Sequence, residues 1–288
     1  MERLVATAAI AFLHSPLLVW LQEIWGGFGL AGAAASIATL PVIAGLLFLR
    51  RDGVRTLNRL APRFSKVGAA VMVGGGMLAA AAAVYQVLPV LGLSLPLCIA
   101  GYLIWTRGLR AVAPVLVPVG LLIFLTPLTE ATAPGLGHAL QIGSAQGATW
   151  LLELAGLPAT LDGVVITTGV TTNTVTQECS GLATLTALLF YGLVTGYILR
   201  LNLARTGLVV GLLLPLSLAV NSARIAFISW LLFAYGEPVA EGPLHNGSGY
   251  ALFALAYGVS FYVALRLART QTSQRPAKAI TDQSPTAA

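Results

Sequence analysis

Three side chains in this sequence could together perform chemistry: the thiol of Cys179, the guanidinium of Arg224 and the imidazole of His245. Cys179 stands in Gln177-Glu178-Cys179-Ser180-Gly181-Leu182, where a threonine-rich stretch ends and a long apolar run begins. A thiol at the start of a helix has its thiolate favoured by unpaired backbone N–H groups and the helix dipole, so Cys179 reads as a nucleophile. Arg224 lies inside an apolar run, where a charge is costly and demands a reason. Asn221, three residues earlier on the same helical face, is placed to orient that guanidinium or share its ligand. His245 stands in a short connection just before the last apolar run. A thiol to attack, an imidazole to move protons and a guanidinium to hold an oxyanion or carboxylate suit acyl transfer. Glu178, next to the thiol, reads first as an ordinary solvated acid, and is also placed to steer substrate or orient His245.

What must position these groups is a membrane. Of 288 residues, 57% are apolar and 9% charged, and the mean hydropathy is +0.85, too few polar groups to cover a water-soluble globule. The net charge of +6 does not point to nucleic acid, because the basic residues are scattered between apolar runs. Runs long enough to cross a hydrocarbon core of about 30 Å fall near 4–21, 30–49, 67–87, 90–106, 111–128, 180–199, 206–235 and 249–266. The reading is an all-α polytopic membrane protein of about eight transmembrane helices, the first an uncleaved helix rather than a signal peptide. With both ends inside, 15 of the 16 Lys and Arg residues fall on the cytoplasmic side, leaving only Arg224. Counting 19 residues from Arg205 at about 1.5 Å each puts Arg224 roughly 28 Å across the membrane, near the outer face where Cys179 and His245 also fall.

Residues 1–129 are then five N-terminal helices, 130–178 an extracytoplasmic connection, 179–268 a catalytic three-helix part and 269–288 a disordered cytoplasmic tail. In the connection, Leu136, Leu140, Ala148, Leu151 and Leu152 are spaced as in an interfacial helix over Pro134 to Leu157. The β-branched stretches Leu161 to Thr168 and Val170 to Thr176, parted by Gly169, predict a short hairpin before the sixth span. Cys98, within Leu97-Cys98-Ile99, reads as a small buried hydrophobe. His14 and His138 read as packing or surface histidines.

These residues resemble the exosortase/archaeosortase membrane transpeptidases. The likeness rests on Glu178-Cys179-Ser180-Gly181-Leu182, on Pro215 followed by Asn221-Ser222-Ala223-Arg224-Ile225, and on His245 with Gly249 four residues later. Phe124-Leu125-Thr126-Pro127-Leu128 and the stretch from Gly156-Leu157-Pro158 to Gly163-Val164-Val165-Ile166 add to it, and together they cover roughly residues 90 to 260. The Ser-His-Gly that many members carry near the second span is replaced here by Gly26-Gly27-Phe28-Gly29-Leu30. The resemblance implies Cys179, Arg224 and His245 as the catalytic set, with Asn221, Glu178, Ser180 and Gly181 supporting or binding substrate. It further implies a protein of the cell membrane acting at its extracytoplasmic face on exported proteins that end in a recognition motif, a hydrophobic anchor helix and a basic tail.

Release by water and transfer to a lipid or glycan acceptor both remain open at this point. No cofactor is expected, and three dispersed histidines with no Cys/His cluster give no metal-ligand spacing. Two other readings stand beside the enzyme: a transporter whose Arg224 binds an anion, and a non-catalytic assembly protein for a surface polymer.

Overall fold

Runs of Ala, Leu, Val and Gly in lipid must satisfy their own backbone groups, and a helix does so within one segment. In the computed structural model these runs form α1 (Glu2–Leu13), α2 (Gly29–Leu49), α4 (Lys66–Tyr85), α5 (Leu88–Arg107) and the short α6 (Leu116–Gly120), with the polar, basic α3 (Arg51–Arg59) between α2 and α4. Next come α7 (Pro134–Leu154), the strands β1 (Ala159–Asp162), β2 (Val165–Thr168) and β3 (Thr171–Thr174), then α8 (Leu182–Ile198), α9 (Leu203–Tyr235) and α10 (Pro243–Ser273). The structure describes residues 2–15, 29–59, 64–85, 87–126, 134–237 and 243–273. Among them four helices, Lys66–Tyr85, Val90–Arg107, Leu203–Tyr235 and Gly247–Gln271, are long and apolar enough to cross a membrane. The chain is a mostly helical, multi-pass membrane protein with a small sheet. It divides into two units, Met1–Gly135 and Leu136–Ala288.

In the first unit, α4 and α5 approach closely because glycines line their contact: a Cβ on Gly75 would sit 2.9 Å from the Cys98 sulfur, and Gly68 and Gly101 are equally confined. Cys98 is 1% exposed in this contact and does the packing expected of it. His14 is buried too, its Nδ1 2.8 Å from the Ile10 carbonyl and its Nε2 2.9 Å from Ser94 Oγ. The run at 111–128 is not one continuous α-helix. A 3-10 turn (Leu109–Ala111), α6 and a second 3-10 stretch (Leu121–Leu125) replace it, because Pro114 and Pro118 lack the N–H groups a helix needs there. Of the first expected span, 4–21, residues from 16 onward lie outside the described residues.

The second unit holds Cys179, Arg224 and His245. Helices α8, α9 and α10 pack on one another around Leu188, Leu213 and Ala256, and Gly192 lets α8 close on Leu213. Helix α7 turns one face inward, including Gln141, Ser144, Ala145, Ala148 and Leu152. That face meets Ala159, Ile166 and Val175 of the sheet region and Ile225 and Ala226 of α9 in one apolar core. The sheet is antiparallel in the order β1-β2-β3. Where the sequence suggested a hairpin, three strands form, because Gly163-Val164 is itself a two-residue turn that divides the first expected strand. Gly163 and Gly169 take φ of +60° and +63° at the first position of two-residue turns, a left-handed value that glycine adopts without strain.

At its far end α10 continues through Ser273, beyond residue 268, where the tail was expected to begin. The Gln271 side chain explains the extra turn: its Nε2 donates to the Arg200 carbonyl at 2.9 Å and its Oε1 accepts from Asn202 N at 3.0 Å. The rest of the expected tail, 274–288, lies outside the described residues.

Candidate active site

The chain leaves β3 through Val175, forms a 3-10 turn at Gln177–Cys179, and enters α8 only at Leu182. Cys179 therefore precedes the helix and is not on its first turn. Gly181 sets this boundary: its φ of +89° is foreign to a right-handed helix, and a Cβ there would lie 3.0 Å from the Asn221 side chain. Ser180 is buried and its Oγ accepts from Leu182 N at 3.2 Å, satisfying one of the N–H groups left without a partner at the helix start.

Three consecutive carbonyls of this turn are held by side chains from two helices. Asn221 of α9, 2% exposed, donates from Nδ2 to the Cys179 carbonyl at 2.8 Å and to Ser144 Oγ of α7 at 2.9 Å. Ser144 Oγ in turn donates to the Ser180 carbonyl at 3.5 Å, and Ser217 Oγ of α9 donates to the Gly181 carbonyl at 3.5 Å. Upstream, Gln141 Nε2 donates to the Val175 carbonyl at 2.6 Å, while Gln141 Oε1 lies 3.3 Å from His138 Nδ1. Buried polar groups of this kind stabilise a fold only when their bonds are made, and here they fix one conformation of the cysteine turn.

Half-buried Cys179 and Arg224 line one cavity of about 40 Å³, together with Asn173, Thr174, Val175, Ile225 and Ile228. Arg224 also borders a wider groove of about 470 Å³ between α8, α9 and α10. On the groove side it abuts α10, since a Cβ added at Gly249 would lie 3.3 Å from Arg224 Nε. His245 belongs to the first turn of α10, four residues before Gly249 and so one turn along the same helix face. The side chains of His245 and of Glu178 lie outside the described residues. The structure thus brings Cys179, Arg224, Asn221, Ser180 and Gly181 together, and brings the backbone of His245 to the helix that touches Arg224.

Sequence reasoning passed over Gln141, Ser144 and Ser217. A signal for them existed in the spacing: Ser217, Asn221 and Arg224 stand at i, i+4 and i+7, one polar stripe on an apolar helix. Gln141 and Ser144 repeat the pattern at i and i+3 on α7.

The family described as Transmembrane exosortase (Exosortase_EpsH) matches residues 30–262, well over half of the chain and including every residue of this site. The chain belongs to that family. No curated protein and no solved structure matches it. This exosortase is a cysteine-protease/transpeptidase-like enzyme of the membrane, and its partners are exported proteins that carry sorting signals.

Proposed function

We propose that this exosortase cleaves the C-terminal sorting signal of an exported protein by nucleophilic attack of Cys179, at the extracytoplasmic face of the cell membrane. What supports the reading is the shared cavity: Cys179 and Arg224 border one small space, and the carbonyls of the cysteine turn are bonded to buried side chains. In the proposed mechanism the Cys179 thiolate adds to a substrate carbonyl carbon and the carbonyl oxygen becomes an oxyanion paired with the Arg224 guanidinium. The C–N bond then breaks, and His245 gives its proton to the departing amine, which remains on the anchor helix. The exported protein is left as a thioester on Cys179. Water, or the amine or hydroxyl of a lipid or glycan, attacks the thioester, His245 takes up the nucleophile's proton and the thiolate leaves.

Eight spans with both termini in the cytoplasm put the site outside, in keeping with the positions of Lys and Arg. In that arrangement α7 and the sheet cover the outer end of α9. At about 1.5 Å per residue the 33 residues of α9 reach roughly 50 Å, longer than a hydrocarbon core of about 30 Å, so its Arg224 end can stand at the headgroup level.

The test is co-expression of the full chain with an exported reporter carrying a C-terminal sorting signal. Wild-type protein should release a shortened reporter and Cys179→Ala should leave it full-length. Processing by Cys179→Ala at the wild-type rate would dismiss the mechanism.

A further inference from the structure

The sheet ends in an open edge beside the thiol. In the β2–β3 register Ile166 faces Asn173 and Thr168 faces Thr171, and one step further Val175 N donates to the Val164 carbonyl at 2.9 Å. Bonded and non-bonded pairs alternate along an antiparallel ladder. The bonded pairs are therefore Val164 with Val175, Ile166 with Asn173 and Thr168 with Thr171. The N–H and C=O groups of Thr172 and Thr174 must then point away from β2, off the outer edge of β3. Among the described residues no strand lies beyond β3, and Thr172 and Thr174 are exposed while Thr171 and Asn173 are half-buried.

Sheet edges are usually guarded by charge, proline, a bulge or a covering element, because they pair readily with another extended chain. Short as it is, Thr171-Thr172-Asn173-Thr174 carries neither charge nor proline, and its register with β2 runs without a bulge. Its inward face is held in place, since Asn173 Nδ2 donates to Ser229 Oγ of α9 at 2.8 Å. The edge also leads somewhere. Asn173, Thr174 and Val175 line the cavity that Cys179 and Arg224 share.

We propose that the outer edge of β3 binds the substrate polypeptide as a fourth strand, its main chain pairing with Thr172 and Thr174 so that the scissile carbonyl arrives at Cys179. This rests on Cys179 being the nucleophile. The ligand is an extended peptide segment recognised by its backbone, with its side chains alternating between the α9 side and solvent. Its amides should matter with a period of two, because only every second N–H of an added strand faces β3.

The experiment uses purified full-length enzyme and a synthetic peptide copying the reporter across its cleaved bond, mapped by mass spectrometry of the released protein. Single N-methyl groups are placed at successive residues on the N-terminal side of that bond. Alternate positions should lose about three- to tenfold in kcat/KM, the worth of one hydrogen bond, and the positions between them less than twofold. On the enzyme, Thr172→Pro removes an outward N–H without touching a sheet bond and should raise KM by a similar factor with kcat unchanged. Labelling of Cys179 by N-ethylmaleimide at the wild-type rate would show that this variant is folded; if it is not, the N-methyl series decides. A flat or non-alternating N-methyl profile, with Cys179→Ala inactive, would overturn the edge-strand inference alone. An active Cys179→Ala would instead overturn the nucleophile reading beneath it.

Discussion

Replacing Asn221 by alanine removes two hydrogen bonds from the turn that carries the thiol, those to the Cys179 carbonyl and to Ser144 Oγ. Ser144 keeps an outlet, because it can still donate to the Ser180 carbonyl. The Cys179 carbonyl loses its donor beside a residue that is only 2% exposed, and leaving a buried acceptor unsatisfied costs about 1–3 kcal/mol. The truncation also empties the space against which Gly181 packs. A loss of about 2 kcal/mol should lower the thermal midpoint in detergent by roughly 4–8 °C. Processing of the reporter should fall at least about tenfold, since the turn no longer has one fixed conformation. Asn221→Asp sharpens the test: it keeps the shape, but an ionised carboxylate has no proton to donate and sets an oxygen against the Cys179 carbonyl. It should be at least as damaging as alanine. Wild-type midpoint and processing in Asn221→Ala would refute the claim that this amide holds the turn.

The other expectations follow from single features. Gly181→Ala forces a φ of +89° on an L-residue and drives a methyl to within 3.0 Å of the Asn221 amide, so it should destabilise by more than about 1 kcal/mol and abolish processing; calorimetry and the reporter read both. Arg224→Lys keeps the charge but loses the planar fork, and should cut kcat by about tenfold or more if the guanidinium holds an oxyanion, with little change if charge alone serves. For orientation, Val170→Cys, at a turn residue 98% exposed, should react with an impermeant maleimide from outside, while exposed Arg55→Cys should not. Both would be made in a background lacking Cys98 and Cys179, and the reverse pattern would invert the proposed topology.

What the sequence disclosed was set by how local the signal is. Hydrophobic runs marked α4, α5, α9 and α10 because a lipid-facing helix needs little beyond length and apolarity. The break at 111–128 was present as Pro114 and Pro118, but hydropathy averaged over a window hides two prolines among Val and Leu. The third strand is hidden similarly, since the β-branched run from Leu161 to Thr168 continues through the Gly163-Val164 turn, whose Val164 is itself β-branched. Cys179 and Arg224 were found as a pair because an unusual charge and a motif-borne thiol stand out individually. Ser144, Ser217 and Gln141 do not: an isolated Ser or Gln in an apolar helix also reads as a side chain bonding its own helix. Ser222, which donates to the Leu218 carbonyl at 2.8 Å, does just that one turn away. Only the fold, which packs α7 against α9, distinguishes the two uses. The helix start was misjudged by three residues because Gly181 acts through its backbone angle, and sequence shows the residue without the angle.

The most direct measurement of the central claim is the covalent intermediate. Purified wild-type protein mixed with the reporter peptide and quenched in acid within the first turnovers should carry an added mass equal to the peptide's N-terminal part. Peptide mapping should place that mass on Cys179, and neutral hydroxylamine should remove it, as for a thioester. Cys179→Ala should show neither the adduct nor cleavage. An adduct on any other residue, or cleavage by Cys179→Ala at the wild-type rate, would contradict the account.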